Sequence, residues 1–162
     1  MDDQVRPLRV YLAARYSRIG EMREIRSLIE DAGGEVTSRW VNGGHQYEEP
    51  DLTPAGQHYQ DLISAYQDDT AERFAVEDLD DVDRADVVIG FSEPPRVAST
   101  SRGGRHVEFG YALGKDKEML LVGPRENVFH HLDSVRQFNS AAAMWDWLKP
   151  IVQEGVEDDE VK

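Results

Sequence analysis

The chain has 162 residues, 40% of them hydrophobic, a length that fits one domain with a sizeable core. Thirty-two acidic side chains against 18 basic ones give a formal charge of −14, the wrong sign for a polyanion, so polymeric nucleic acid is excluded as the expected partner. There is no cysteine for disulfides or thiolate zinc, Met1-Asp2-Asp3 lacks the features of a signal peptide, and no apolar run approaches the roughly 18 residues of a membrane span, so a cytoplasmic protein away from membranes is expected.

Leu8 to Ala13 is a β-prone apolar run. Ser17 then offers a helix cap, and Ile19, Met22, Ile25, Leu28 and Ile29 fall on one face of the helix that follows. Gly33-Gly34 ends that helix, and Glu35 to Trp40 reads as a second strand. A polar segment holding Trp40, His45, Tyr47, His58 and Tyr59 predicts a long lid-like loop, with a helix from about Pro54 to Tyr66. Asp69-Thr70-Ala71-Glu72 resembles a helix start, and the helix runs to about Arg84 before the strand Asp86 to Phe91. After a loop containing Pro94 and Pro95, Gly103-Gly104 opens a helix to about Leu113. Glu118 to Val122 and the weaker Val135 to Phe138 are the last strands, and Ser140 caps a final helix carrying Met144, Trp145, Trp147, Leu148 and Ile151. Alternating strands and helices predict an α/β, flavodoxin-like (Rossmann-like) three-layer sandwich on a five-stranded parallel sheet. The domain is expected to cover residues 1–153, with 154–162 a disordered acidic tail.

Open parallel sheets bind ligands outside the carboxyl ends of their strands. After the first strand stand Ala13, Arg15, Ser17 and Arg18; after the third, Ser92 through Ser101 and Arg102 lead to Gly103-Gly104, where free helix N–H groups suit an anion. Glu108 is the one charged residue in Val107 to Gly114, one turn into that helix. The plain reading is a glutamate complementing the helix dipole. Against it stand the flanking glycines, which admit a ligand, and nearby arginines, which are expected to keep Glu108 ionised.

In the preceding helix Ala71, Phe74, Ala75, Val82 and Ala85 form an apolar stripe with Asp78 near its middle, so Asp78 faces inward. Asp80, Asp81 and Asp83 read as a solvated face and Asp86 as structural. Two inward carboxylates in different surroundings are what glycosidic cleavage uses, with no metal or redox cofactor required. His130-His131 has no spaced carboxylate partner, so no metal site is expected there. Gly114-Lys115-Asp116 lacks the pattern of a P-loop.

On these residues the sequence resembles the nucleoside 2-deoxyribosyltransferases and the related 2'-deoxynucleoside 5'-phosphate N-hydrolases. Val10-Tyr11-Leu12-Ala13 is similar to their first-strand motif, Asp78-Leu79 through Ile89 to their helix-then-strand element, and Gly104 to Lys115 to their nucleophile helix. The resemblance runs in order from about Leu8 to Val122. It implies Glu108 as nucleophile, Asp78 as the aspartate engaging the base or donating its proton, Tyr11 as the tyrosine beside the nucleophile, and a homo-oligomer. The approach to the helix is longer than the family's and carries Arg96, Arg102 and Arg105, and Trp40 to Asp69 has no counterpart in it.

The expected ligand is a small nucleoside or nucleotide, its phosphate near Ser101 to Gly104 and its base beneath the segment starting at Trp40. Glu108 attacks C1', and water or a second base completes the displacement. A non-catalytic nucleotide sensor on the same fold is the rival reading. A phosphoribohydrolase is a nearer one, but its Gly-Gly-x-Gly-Thr pattern is missing.

Overall fold

A computed structural model describes residues 4–45, 69–94 and 103–158. Its strands are β1 (Val5–Arg6), β2 (Arg9–Ala13), β3 (Glu35–Val36), β4 (Val87–Phe91), β5 (Glu118–Val122), β6 (Val135–Phe138) and β7 (Val156–Glu157). Its helices are α1 (Ile19–Asp31), α2 (Asp69–Arg84), α3 (Gly104–Gly114) and α4 (Ala141–Glu154). Five strands make one parallel sheet in the order β3-β2-β4-β5-β6, the expected three-layer α/β architecture. Helices α1 and α4 are neighbours over one face, and α2 and α3 pack together over the other.

The core follows from the apolar runs. All five residues of β4 are buried, as a central parallel strand requires when helices cover both faces. Leu12, Ile89, Leu120, Met22, Ile29, Met144 and Leu148 are wholly inside. The hydroxyl of Ser140 caps α4 by accepting the Ala143 N–H at 3.1 Å.

Several expectations need correction. The second strand ends at Val36, and Arg39–Asn42 is a 3-10 turn that drives Trp40 into the core, its indole N–H donating to the Leu12 carbonyl at 2.8 Å. Ser17 caps nothing: it is exposed in a 3-10 turn, Tyr16–Arg18, that precedes α1. Leu28 and Ala75 face solvent. Residues 154–158, expected in the disordered acidic tail, are structured: Glu154 closes α4, β7 pairs antiparallel with β1, and Asp158 pairs with Arg6 at 3.0 Å. The expected helix from Pro54 to Tyr66 lies outside the described residues.

Asp81 departs furthest from its reading. It is fully buried, not part of a solvated face. Its carboxylate accepts the Arg39 N–H and Nε, both at 2.8 Å, and Arg84 Nη2 at 2.6 Å, while the Thr37 hydroxyl donates to its carbonyl at 2.8 Å. The periodicity of α2 could not show this, because Arg39 and Thr37 arrive from the turn after β3. Asp86 is structural as read, clamped by Arg6 at 2.7 and 2.8 Å and by the Arg9 N–H.

Candidate active site

Three oxygen-bearing side chains converge from three elements. Tyr11 comes from β2, where strand alternation turns its ring toward α2 and α3. Asp78 comes from the inner side of α2, and Glu108 from one turn into α3. Tyr11 is fully buried, and among the described residues neither its hydroxyl nor Asp78 Oδ1 makes a hydrogen bond of ordinary length, although the hydroxyl lies close enough to Glu108 to act on its carboxyl. The third buried side-chain atom of that kind among the described residues is Arg105 Nε, on the same helix as Glu108. Unsatisfied buried polar atoms are costly and rare, so their concentration beside one carboxylate marks a site built for something other than stability.

The electrostatics agree. Burial, then repulsion from Asp78, pushes the Glu108 carboxyl up to about 8, while the Tyr11 hydroxyl pulls the other way. Burial likewise raises Asp78 to about 6, opposed first by His45. Tyr11 is held well above the ordinary phenol value by burial and by both carboxylates. At neutral pH the proton is held more firmly by Glu108 than by Asp78.

This overturns the expectation that arginines keep Glu108 ionised, since among the described residues it has no ion-pair partner. Arg105 pairs with Glu126 through both Nη atoms, with Nη2 3.1 Å from Oε2. Arg18 is taken by Glu21 at 2.8 and 2.9 Å, by the Ser92 carbonyl and by Glu93, and Arg15 stands 4.0 Å from Glu93. Arg15, Arg18 and Arg105 each face an acid, while Arg96 and Arg102 lie outside the described residues.

The remaining expected ligand-binding residues divide into four groups. Ala13, Ser92 and Arg105 line a cavity of about 10 Å³ at the carboxyl ends of β2 and β4, together with Phe109, Glu126 and His130. Gly103 adopts the left-handed conformation, φ 83°, that starts α3, and Gly104 is exposed at the helix opening. Trp40 is core and Ser17 exposed, as described above. Ser101 and Arg102 lie outside the described residues.

Sequence reasoning missed two neighbourhoods. His45 Nε2 lies 2.6 Å from Glu77 Oε2, with its ring 4.6 Å from that of Phe74, and so brings a titratable group to the Asp78 side of the site. Nothing in the sequence joined it to a helix more than 30 residues away. The reading that His130 lacks a carboxylate partner is also corrected: among the described residues His106, Glu126 and His130 form a cluster whose candidate ligand atoms all lie within 4.8 Å. Burial holds both imidazoles below the usual histidine value, Arg105 adding to the effect.

No protein-family model matches the chain, and no curated protein matches its sequence. Among solved structures it is similar to a CMP N-glycosidase from Clostridium botulinum, at a TM-score of 0.51 and 18% identity over 86% of this chain and 97% of that one. It is also similar to a 2-deoxyribosyltransferase from the psychrotolerant bacterium Bacillus psychrosaccharolyticus, at 0.55 and 16% identity over 87% of this chain and 90% of the other. The chain shares the fold of these two enzymes. Within that fold the Tyr11, Asp78 and Glu108 cluster lies where α2 and α3 meet over β2.

Proposed function

We propose that the protein cleaves the N-glycosidic bond of a nucleoside or nucleoside 5'-monophosphate, using Glu108 as nucleophile. The observation that carries this reading is the convergence of Glu108 and Asp78, two half-buried carboxyls both raised by desolvation, beside the buried Tyr11 hydroxyl. The reactive form has the proton on Asp78 and the charge on Glu108. Glu108 attacks C1', the C1'–N bond breaks, and Asp78 gives its proton to the departing base. Water or a second base then attacks C1' of the glycosyl ester, passing its proton to the Asp78 carboxylate and releasing Glu108 as carboxylate. Tyr11 stabilises the Glu108 carboxylate as it forms and as it leaves. That one structural neighbour is a CMP N-glycosidase and the other a 2-deoxyribosyltransferase supports the bond broken and leaves the acceptor open.

A 5'-phosphate fits the start of α3, where the helix dipole favours an anion and Gly104 is exposed. The acids that hold Arg15 and Arg18 are partly exposed, so a phosphate can compete for those cations.

The test is chromatographic: the purified chain is incubated with nucleosides and 5'-monophosphates, with and without a second free base. Release of base is expected, and Glu108→Ala should lower its rate by at least about three orders of magnitude. Exchange only with added base identifies a transferase. Tight nucleotide binding without base release overturns catalysis in favour of a sensor.

A further inference from the structure

We propose a transition-metal site, built for zinc or a similar borderline cation, formed by His106, Glu126 and His130. It uses none of the residues assigned to catalysis, and its His130 packs edge-on against Phe109.

The three side chains come from two segments that only the fold brings together. His106 stands in the first turn of α3, whereas Glu126 and His130 belong to the turn that follows β5 and ends in a 3-10 helix, Val128–His131. Two imidazoles and one carboxylate are the donor set that borderline divalent cations select. Their ligand atoms lie within 4.8 Å of one another. A tetrahedral zinc with bonds of about 2.0–2.1 Å needs roughly 3.4 Å between ligand atoms, so the cluster must contract by about 1 Å. The half-exposed His106 side chain, already 3.9 Å from Glu126 Oε1, has the freedom to make that move.

The surroundings hold the other two in place. His130 is 2% exposed, with its ring edge-on to Phe109 at 5.1 Å. Its Nδ1 accepts the Glu126 backbone N–H at 3.2 Å, while its Nε2 and His106 Nδ1 each lie 3.4 Å from Asn127 Nδ2. Both ring nitrogens of His130 therefore face donors, and a neutral imidazole can accept at only one of them. A cation on His130 takes that single lone pair and displaces whichever donor held it, the Glu126 N–H or the Asn127 amide. Arg105 fixes the Glu126 carboxylate through both oxygens; Oε1 also accepts the Glu93 N–H at 3.4 Å, and Oε2 keeps a second lone pair for a metal. Water fills the remaining coordination positions, and the bound ion ties the start of α3 to the turn after β5.

The experiment is calorimetric titration of the untagged full chain with Zn²⁺, with Mg²⁺ as comparison and a thermal melt at each end point. One Zn²⁺ per chain is expected, bound far more tightly than Mg²⁺ and raising the melting temperature. His106→Ala changes an exposed position and keeps the fold by circular dichroism; it should weaken Zn²⁺ binding at least about tenfold. Co²⁺ should give a d–d absorption band in the parent chain that is lost in that variant. Zn²⁺ binding no tighter than Mg²⁺, or binding unchanged by His106→Ala, assigns the metal to the acidic surface and overturns the proposal. Either result is independent of base release, so the site and the catalytic reading fail separately.

Discussion

Glu108 is held in the folded chain against its own preference for ionisation. Its carboxyl is raised from the ordinary 4.5 to about 8, chiefly by desolvation. Between those values the folded state keeps a proton that the unfolded chain has released, so stability falls as pH rises through that window. Glutamine has the same shape and no charge to desolvate. Glu108→Gln should therefore abolish base release yet stabilise the protein by about 1–2 kcal/mol above pH 8, a gain that vanishes below about pH 4.5. Urea denaturation at both ends of the window reads this directly; a difference independent of pH would show that burial is not what raises the group. Such a residue is legible in sequence as a lone acid in an apolar helix, which is how Glu108 and Asp78 were both found. Its protonation state was not, because the arginines close by in sequence prove to be matched to Glu126, Glu93 and Glu21.

Elements were readable wherever their own periodicity decided them. The apolar runs of β2, β4 and β5 and the boundaries of α2 and α3 follow from local pattern, and the parallel sheet follows from their alternation. Asp81 shows where local pattern ends: on the helical wheel it belongs with Asp80 and Asp83, yet Arg39 and Arg84 bury it completely. The His106, Glu126 and His130 cluster was hidden for the same reason, its members being donated by segments about 20 residues apart. Removing one partner of a buried ion network leaves the others desolvated and unmatched. Asp81→Ala should thus cost about 3 kcal/mol and loosen the contact of α2 with the turn after β3, seen as a lower urea midpoint with little change in Asp80→Ala. Equal effects of the two substitutions would contradict the assigned burial.

Across the whole molecule the excess of acid is the dominant field. A formal charge of −14 on a chain of this size makes the compact state repel itself, since unfolding spreads those charges apart. Added sodium chloride shortens the reach of that repulsion to about 8 Å near 0.15 M. The melting temperature is expected to rise between low ionic strength and about 0.3 M salt, and a fall would mean that the surface pairs outweigh the net charge.

The small antiparallel pair of β1 and β7 has a different kind of consequence. Because Val5 lies opposite Glu157 in the folded protein, a peptide bridge joining the polypeptide's two ends would meet almost no resistance from native geometry. It would act on the denatured ensemble, depriving it of the freedom an open chain enjoys. A head-to-tail circle of this protein should consequently resist heat better than the open form with every internal contact unaltered.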